Sequence, residues 1–166
     1  MKKASELVPE PNFKIEIQKR TKRFTMDERH FHDYFEIYFL LSGRRYYFIE
    51  NMTYAVNPGD IVFIPPNVIH KTIEAGSNEH ERVLIVFQKD YFGDIEEDGI
   101  LTEIFNTNNF VCKFKPHRQS YIENLVKKIY KEWENKRRFF NLNIKAMDTE
   151  LLVYSIRNSE DTNESV

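Results

Sequence analysis

Two stretches decide how this chain is read: His30-Phe31-His32-Asp33-Tyr34-Phe35-Glu36-Ile37, and Val56-Asn57-Pro58-Gly59-Asp60-Ile61-Val62-Phe63-Ile64-Pro65-Pro66 with His70 just beyond. Residues 34–41 form an apolar and aromatic run that stops at Ser42-Gly43. Further short runs lie at 46–49, 53–56, 61–64, 69–74 and 82–87, separated by turn-forming residues. Asn57-Pro58-Gly59-Asp60 predicts a type II turn, because Pro fixes φ at the second position and Gly accepts positive φ at the third. A hairpin turn is expected around Asn51, and a turn at Gly76-Ser77-Asn78. Upstream, Phe13, Ile15 and Ile17 alternate with Lys14, Glu16 and Gln18, the pattern of a half-buried strand. Many short strands at this spacing predict a mostly β fold, an antiparallel sandwich or barrel. One helical turn is expected near 101–105 and a last strand within 110–114.

After Pro116 the period changes. Ile122, Leu125, Val126, Ile129 and Trp133 recur at helical spacing, with Glu123, Lys127, Lys128 and Lys131 between them, which predicts an amphipathic helix over about 118–138. Residues 141–143 are expected to break it, and Ile144, Met147, Leu151 and Tyr154 to mark a second helix. The chain therefore divides into a polar arm (1–12), a β-barrel (13–115), a two-helix segment (116–157) and a polar tail (158–166) expected to be disordered. A barrel face covers only one side of the first helix. The stripe Ile122, Leu125, Ile129 and Trp133 is accordingly expected to pair with itself in a homodimer. The basic run Lys127, Lys128, Lys131, Lys136, Arg137 and Arg138 reads as a solvated helix face.

Composition narrows the function. The 166 residues suit one domain, and 41% hydrophobic with 30% charged residues is an ordinary globular balance. A net charge of −2 and a pI of about 6.2 argue against a polyanion binder. Cys112 is the one thiol, so no internal disulfide can form. There is no apolar leader segment and no run of about 20 apolar residues, so neither a signal peptide nor a membrane span is expected; a cytoplasmic location is expected. Aromatic residues reach 14%, which fits both a β-rich core and an aromatic-lined pocket.

The residues that carry chemistry are His30, His32, Glu36 and His70. Three imidazoles and a carboxylate can wrap a divalent transition metal such as zinc, nickel, iron or manganese. They could equally hydrogen-bond a small ligand or form a polar cluster inside the barrel. Geometry sets a condition. Glu36 lies six residues from His30, about 20 Å along a straight strand. A shared site therefore requires a bend at Asp33-Tyr34 and a His70 strand lying beside this segment. Tyr38 has the parity of Glu36 and is expected to face the interior, with Tyr46 and Thr72 as weaker interior candidates. His80 and His117 are expected on the surface, and Arg44-Arg45 in a solvated turn.

His30-x-His32-x3-Glu36-x6-Gly43 resembles the first cupin motif, and Gly59-x5-Pro65-x-Asn67-x2-His70-x3-Glu74 resembles the second. Phe24, Asn67 and Glu74 depart from it, standing where the family usually has Gly, Gly and Asn. The two quoted stretches, with Leu41-Ser42-Gly43 between them, are similar to the cupin sensor domain of AraC-type transcriptional regulators. The resemblance implies a double-stranded β-helix barrel followed by two dimerising helices. It implies metal ligands at His30, His32, Glu36 and His70, and a small-molecule effector in the barrel; the aromatic, weakly charged interior suggests a sugar or a small aromatic acid for that effector. It also implies a separate DNA-binding region of two helix-turn-helix units. No such pattern fits after Asn158, so these residues alone are not expected to bind DNA, and either a piece of a longer regulator or a sensor-only chain is expected. The competing function is a metal-dependent cupin enzyme, an isomerase or dioxygenase. The trailing helices and the lack of an extra acid or base favour the non-enzymatic sensor.

Overall fold

The computed structural model describes residues 2–3, 12–76, 78–93, 98–106 and 109–160. Strands β1 (Lys2–Lys3), β2 (Phe13–Arg20), β3 (His30–Phe31), β4 (Phe35–Ser42), β5 (Arg45–Ile49), β6 (Met52–Val56), β7 (Ile61–Ile64), β8 (His70–Glu74), β9 (His80–Phe87) and β10 (Val111–Cys112) form two five-stranded sheets. The first has the order β1-β3-β8-β5-β6 and the second β10-β7-β4-β9-β2. Every pairing is antiparallel except that of β1 with β3. This is the antiparallel two-sheet arrangement that the strand spacing predicts, and the cupin barrel that the resemblance implies. Helices α1 (Ile100–Phe105), α2 (Pro116–Asn135) and α3 (Phe140–Asn158) complete the described chain.

The second sheet is buried on both faces, which explains why residues 34–41 read as a continuous apolar run rather than an alternating one. On β4, Tyr38 and Leu40 point between the sheets, where they join Tyr47, Ile49, Tyr54, Val62, Ile64, Leu84 and Val86. Ile37 and Phe39 point the other way, into a core shared with Phe63, Val83, Ile85, Phe105 and the helices. The predicted type II turn forms: Asp60 N donates to Asn57 O at 3.0 Å, and Gly59 has φ +91°.

α2 opens on Pro116 at its first position, where a missing N–H costs nothing. Its apolar stripe packs inside the chain, correcting the expected dimer contact. Ile122 and Ile129 are fully buried and Leu125 is 5% exposed, all in the core against the second sheet and α3. Trp133 is half-buried, with its ring 5.5 Å from that of Phe13. α3 supplies the second cover that the sequence reading assigned to another copy. The break between the helices also moves. Lys136 and Phe139, at φ +46° and +66°, reverse the chain, and residues 141–143 lie in the first turn of α3, where Asn is tolerated because the N–H groups there have no helical acceptor.

Lys2–Lys3 pair with His30–Phe31; residues 4–11 of the expected arm, Ser77 of the expected turn and residues 161–166 of the expected tail lie outside the described residues. Among the described residues, no helix is long and apolar enough to cross a membrane.

Candidate metal and effector site

The bend that the spacing demands is present. β3 ends at Phe31, β4 begins at Phe35, and Asp33-Tyr34 turn the chain between them. His32 stacks flat on Tyr34, their rings 3.9 Å apart. β3 pairs with β8 through His30 opposite His70, and the ring centroids of these two lie 4.3 Å apart. The result is a cluster in which one nitrogen each of His30, His32 and His70 lie within 4.8 Å of one another. Glu36 reaches into it from β4, with Oε2 at 3.1 Å from His32 Nε2 and 3.7 Å from His70 Nε2. His32, Glu36 and His70 are buried, whereas His30 is half-exposed.

Hydrogen bonds orient these rings. Nδ1 of His32 donates to Tyr34 O and Nδ1 of His70 donates to Val68 O, each at 2.9 Å. A neutral imidazole held this way carries its lone pair on Nε2, turned toward Glu36. Tyr47 OH donates to the other carboxylate oxygen, Oε1, at 3.1 Å. Asn67 N donates to His32 O at 2.6 Å and takes φ +65° to do so, a left-handed conformation that accounts for the glycine usual at that motif position.

Electrostatics follow from the crowding. Burial and the neighbouring His70 push the pKa of His30 down to about 4, which keeps it neutral with one ring-nitrogen lone pair free. Burial opposes the charge on Glu36, yet His32 and His70 outweigh it and hold the carboxyl well below its ordinary range. Burial likewise opposes charge on His70, but Glu36 dominates and raises its pKa. Two lone pairs facing a carboxylate repel unless a cation or proton lies between them. His70 Nε2 is itself buried without a hydrogen-bond partner. Three nitrogens, one carboxylate and outer hydrogen bonds from Tyr47 and the backbone fit a divalent transition metal.

The other candidates divide. Tyr38 and Thr72 face the interior, and Thr72 accepts from Arg45 Nη2 at 3.2 Å. Tyr46 does not: it is 36% exposed, and its neighbour Tyr47 occupies the interior. Arg45 and Tyr47 share one parity of β5, and both side chains point inward. Arg45 is in fact 1% exposed, correcting the solvated-turn expectation. His80 is also buried rather than on the surface, and burial with Arg45, Arg20 and Arg82 nearby pulls its pKa down to about 4. His117 and the basic run are exposed as expected, although Lys136, Arg137 and Arg138 lie past the end of α2 rather than on its face.

The AraC-like ligand binding domain family matches residues 16–152. This chain belongs to that family. The AraC-like domain is also 42% identical, over 41 residues, to an uncharacterized HTH-type transcriptional regulator, YbfI, of Bacillus subtilis. That match spans 25% of this chain and 15% of the regulator. Among solved structures, a cupin protein from Bacteroides fragilis is 20% identical with a TM-score of 0.43, the likeness covering 47% of this chain and 67% of that one. An RmlC-like cupin with a double-stranded β-helix fold from Methanocaldococcus jannaschii is 17% identical with a TM-score of 0.44, over 49% of this chain and 74% of that one. The AraC-like domain shows the two-sheet strand order described above.

Proposed function

We propose that this AraC-like domain is the sensor of a transcription regulator, and that His30, His32, Glu36 and His70 anchor its effector inside the barrel through a divalent metal. The observation that carries this reading is the cluster of the three imidazoles, with His32 and His70 against the Glu36 carboxylate and Nε2 of His70 unpartnered. When bound, the metal supplies a Lewis-acidic point that accepts an oxygen donor. The chain's own residues do the rest. Tyr47 and the carbonyls of Tyr34 and Val68 hold the donors in place, and half-exposed His30 leaves an entry. An effector bound here stabilises one arrangement of the barrel over another, which is all that a regulatory signal requires. DNA contact belongs to a region other than these residues.

The donor set also favours a second reading, a metal-dependent isomerase or dioxygenase, because three His and one Glu leave metal positions open to substrate. One experiment separates the readings. The melting temperature is measured against sugars and small aromatic acids with metal present, for the unmodified chain and Glu36→Gln. Compounds that raise the first and not the second, and are recovered unchanged, support the sensor. Equal shifts for both proteins would contradict it, and conversion of the compound would favour the enzyme.

A further inference from the structure

A second polar cluster lies further along the inward face of β4. Among the inward side chains, Leu40 pairs with Arg82, Tyr38 with Leu84, Arg45 with Glu74 and Tyr47 with Thr72. Along β4 the inward parity thus runs from Glu36, at the histidine cluster, through Tyr38 to Leu40. Three buried atoms in this region have no hydrogen-bond partner: Tyr38 OH, Arg45 Nε and Arg82 Nη1. All three are donors, or can be. The Arg82 guanidinium carbon lies 5.9 Å from the Tyr38 ring centroid. The side chains are held by bonds from their other atoms. Arg45 donates to Phe24 O at 2.6 Å and to Thr72 Oγ1 at 3.2 Å. Arg82 Nη2 donates to Glu16 at 2.8 Å and to Gln18 at 3.0 Å.

Unpaired buried donors are costly, and paired cationic donors with no acceptor more so. Acidic groups balance part of the charge. Glu16 takes one side of Arg82, and Glu74, opposite Arg45, is shared with Arg23 at 3.4 Å. His80 lies near Arg45, Arg20 and Arg82 and adds no charge near neutrality. The cluster keeps a positive excess, and its free donors suit an acceptor carrying negative charge.

We propose that Tyr38, Arg45 and Arg82 form a subsite for a carboxylate group, so that the effector is a small organic acid rather than a sugar. This deepens the sensor reading and rests on it. One end of the acid meets the guanidinium groups and the Tyr38 hydroxyl, and its remainder extends along the Tyr38–Tyr47 wall, where the rings meet edge to face at 5.0 Å.

The test is calorimetric titration of the chain with matched pairs: acetate and acetamide, benzoate and benzamide, phenylacetate and phenylacetamide, with glucose as a neutral polyol. At least one acid should bind about tenfold or more tightly than its amide. Arg45→Met and the milder Tyr38→Phe should each weaken that acid about tenfold, with circular dichroism verifying the fold. The proposal is overturned if amides or glucose bind as well as the acids, if no acid binds at about 10 mM, or if Tyr38→Phe leaves affinity within about twofold. Neutral ligands that bind while the acids do not would overturn the carboxylate subsite and leave the sensor reading standing; a barrel that binds neither class would sink both.

Discussion

His32 Nε2 lies 3.1 Å from Glu36 Oε2, although four residues of straight strand would place them about 13 Å apart. The Asp33-Tyr34 bend closes that distance, and Tyr34 both stacks under the His32 ring and accepts its Nδ1–H. The same bend lets the short strand β3 face β8, so that His70 completes the cluster.

The bend depends on the left-handed Asn67, whose N–H ties to His32 O. Asn67→Gly should leave stability unchanged or raise it slightly, since Gly adopts that φ freely. Asn67→Val should cost on the order of 1–3 kcal/mol in urea unfolding. A Val variant as stable as the parent would contradict this account of the backbone.

Tyr47 holds Glu36 without touching the shared Oε2. Tyr47→Phe should therefore retain metal binding but weaken it by roughly 10-fold or more, as loss of an outer hydrogen bond does elsewhere. Metal affinity measured by competition with a chelator checks this. Unchanged affinity would mean that the carboxylate needs no such support.

Ile129 is fully buried within its own chain. Ile129→Asp should unfold or severely destabilise the domain, by on the order of 3 kcal/mol or more, because it introduces an unpaired charge into the core. A folded variant seen by circular dichroism, changed only in its sedimentation, would restore the stripe as a contact between copies.

Asp148, 1% exposed, accepts from Tyr91 OH at 2.8 Å. Burial pushes its pKa up to about 8 from an ordinary 3.8, against the opposing pull of the Tyr91 bond. Between those values the unfolded chain releases a proton that the folded chain keeps, so this group's contribution to stability falls as pH rises through that window. Asp148→Asn removes the titration. The variant should match the parent near pH 4 and exceed it above pH 8 by on the order of a few kcal/mol. Parallel stability profiles for the two proteins across that range would contradict the buried-acid assignment.

Much of the architecture was legible in the chain. The turn at Asn57–Asp60 follows from residue chemistry, and the bend after His32 and the His30–His70 adjacency are the conditions that a shared site sets. What stayed hidden depends on partners distant in sequence. Arg45 reads as a turn residue until Phe24 O and Thr72 are seen around it. His80 looks polar in context, yet it opens β9 opposite Arg20. An apolar stripe such as that of α2 looks the same whether α3 or a second copy covers it.

The account stands most directly on whether the histidine cluster holds a metal. Chain purified without chelator or affinity metal is titrated calorimetrically with zinc, nickel, manganese and ferrous iron, beside His70→Ala. The account predicts about one equivalent of at least one metal in the unmodified chain and a loss of about tenfold or more in affinity in His70→Ala. Uptake below about a tenth of an equivalent for all four metals, or equal uptake by both proteins, would contradict it.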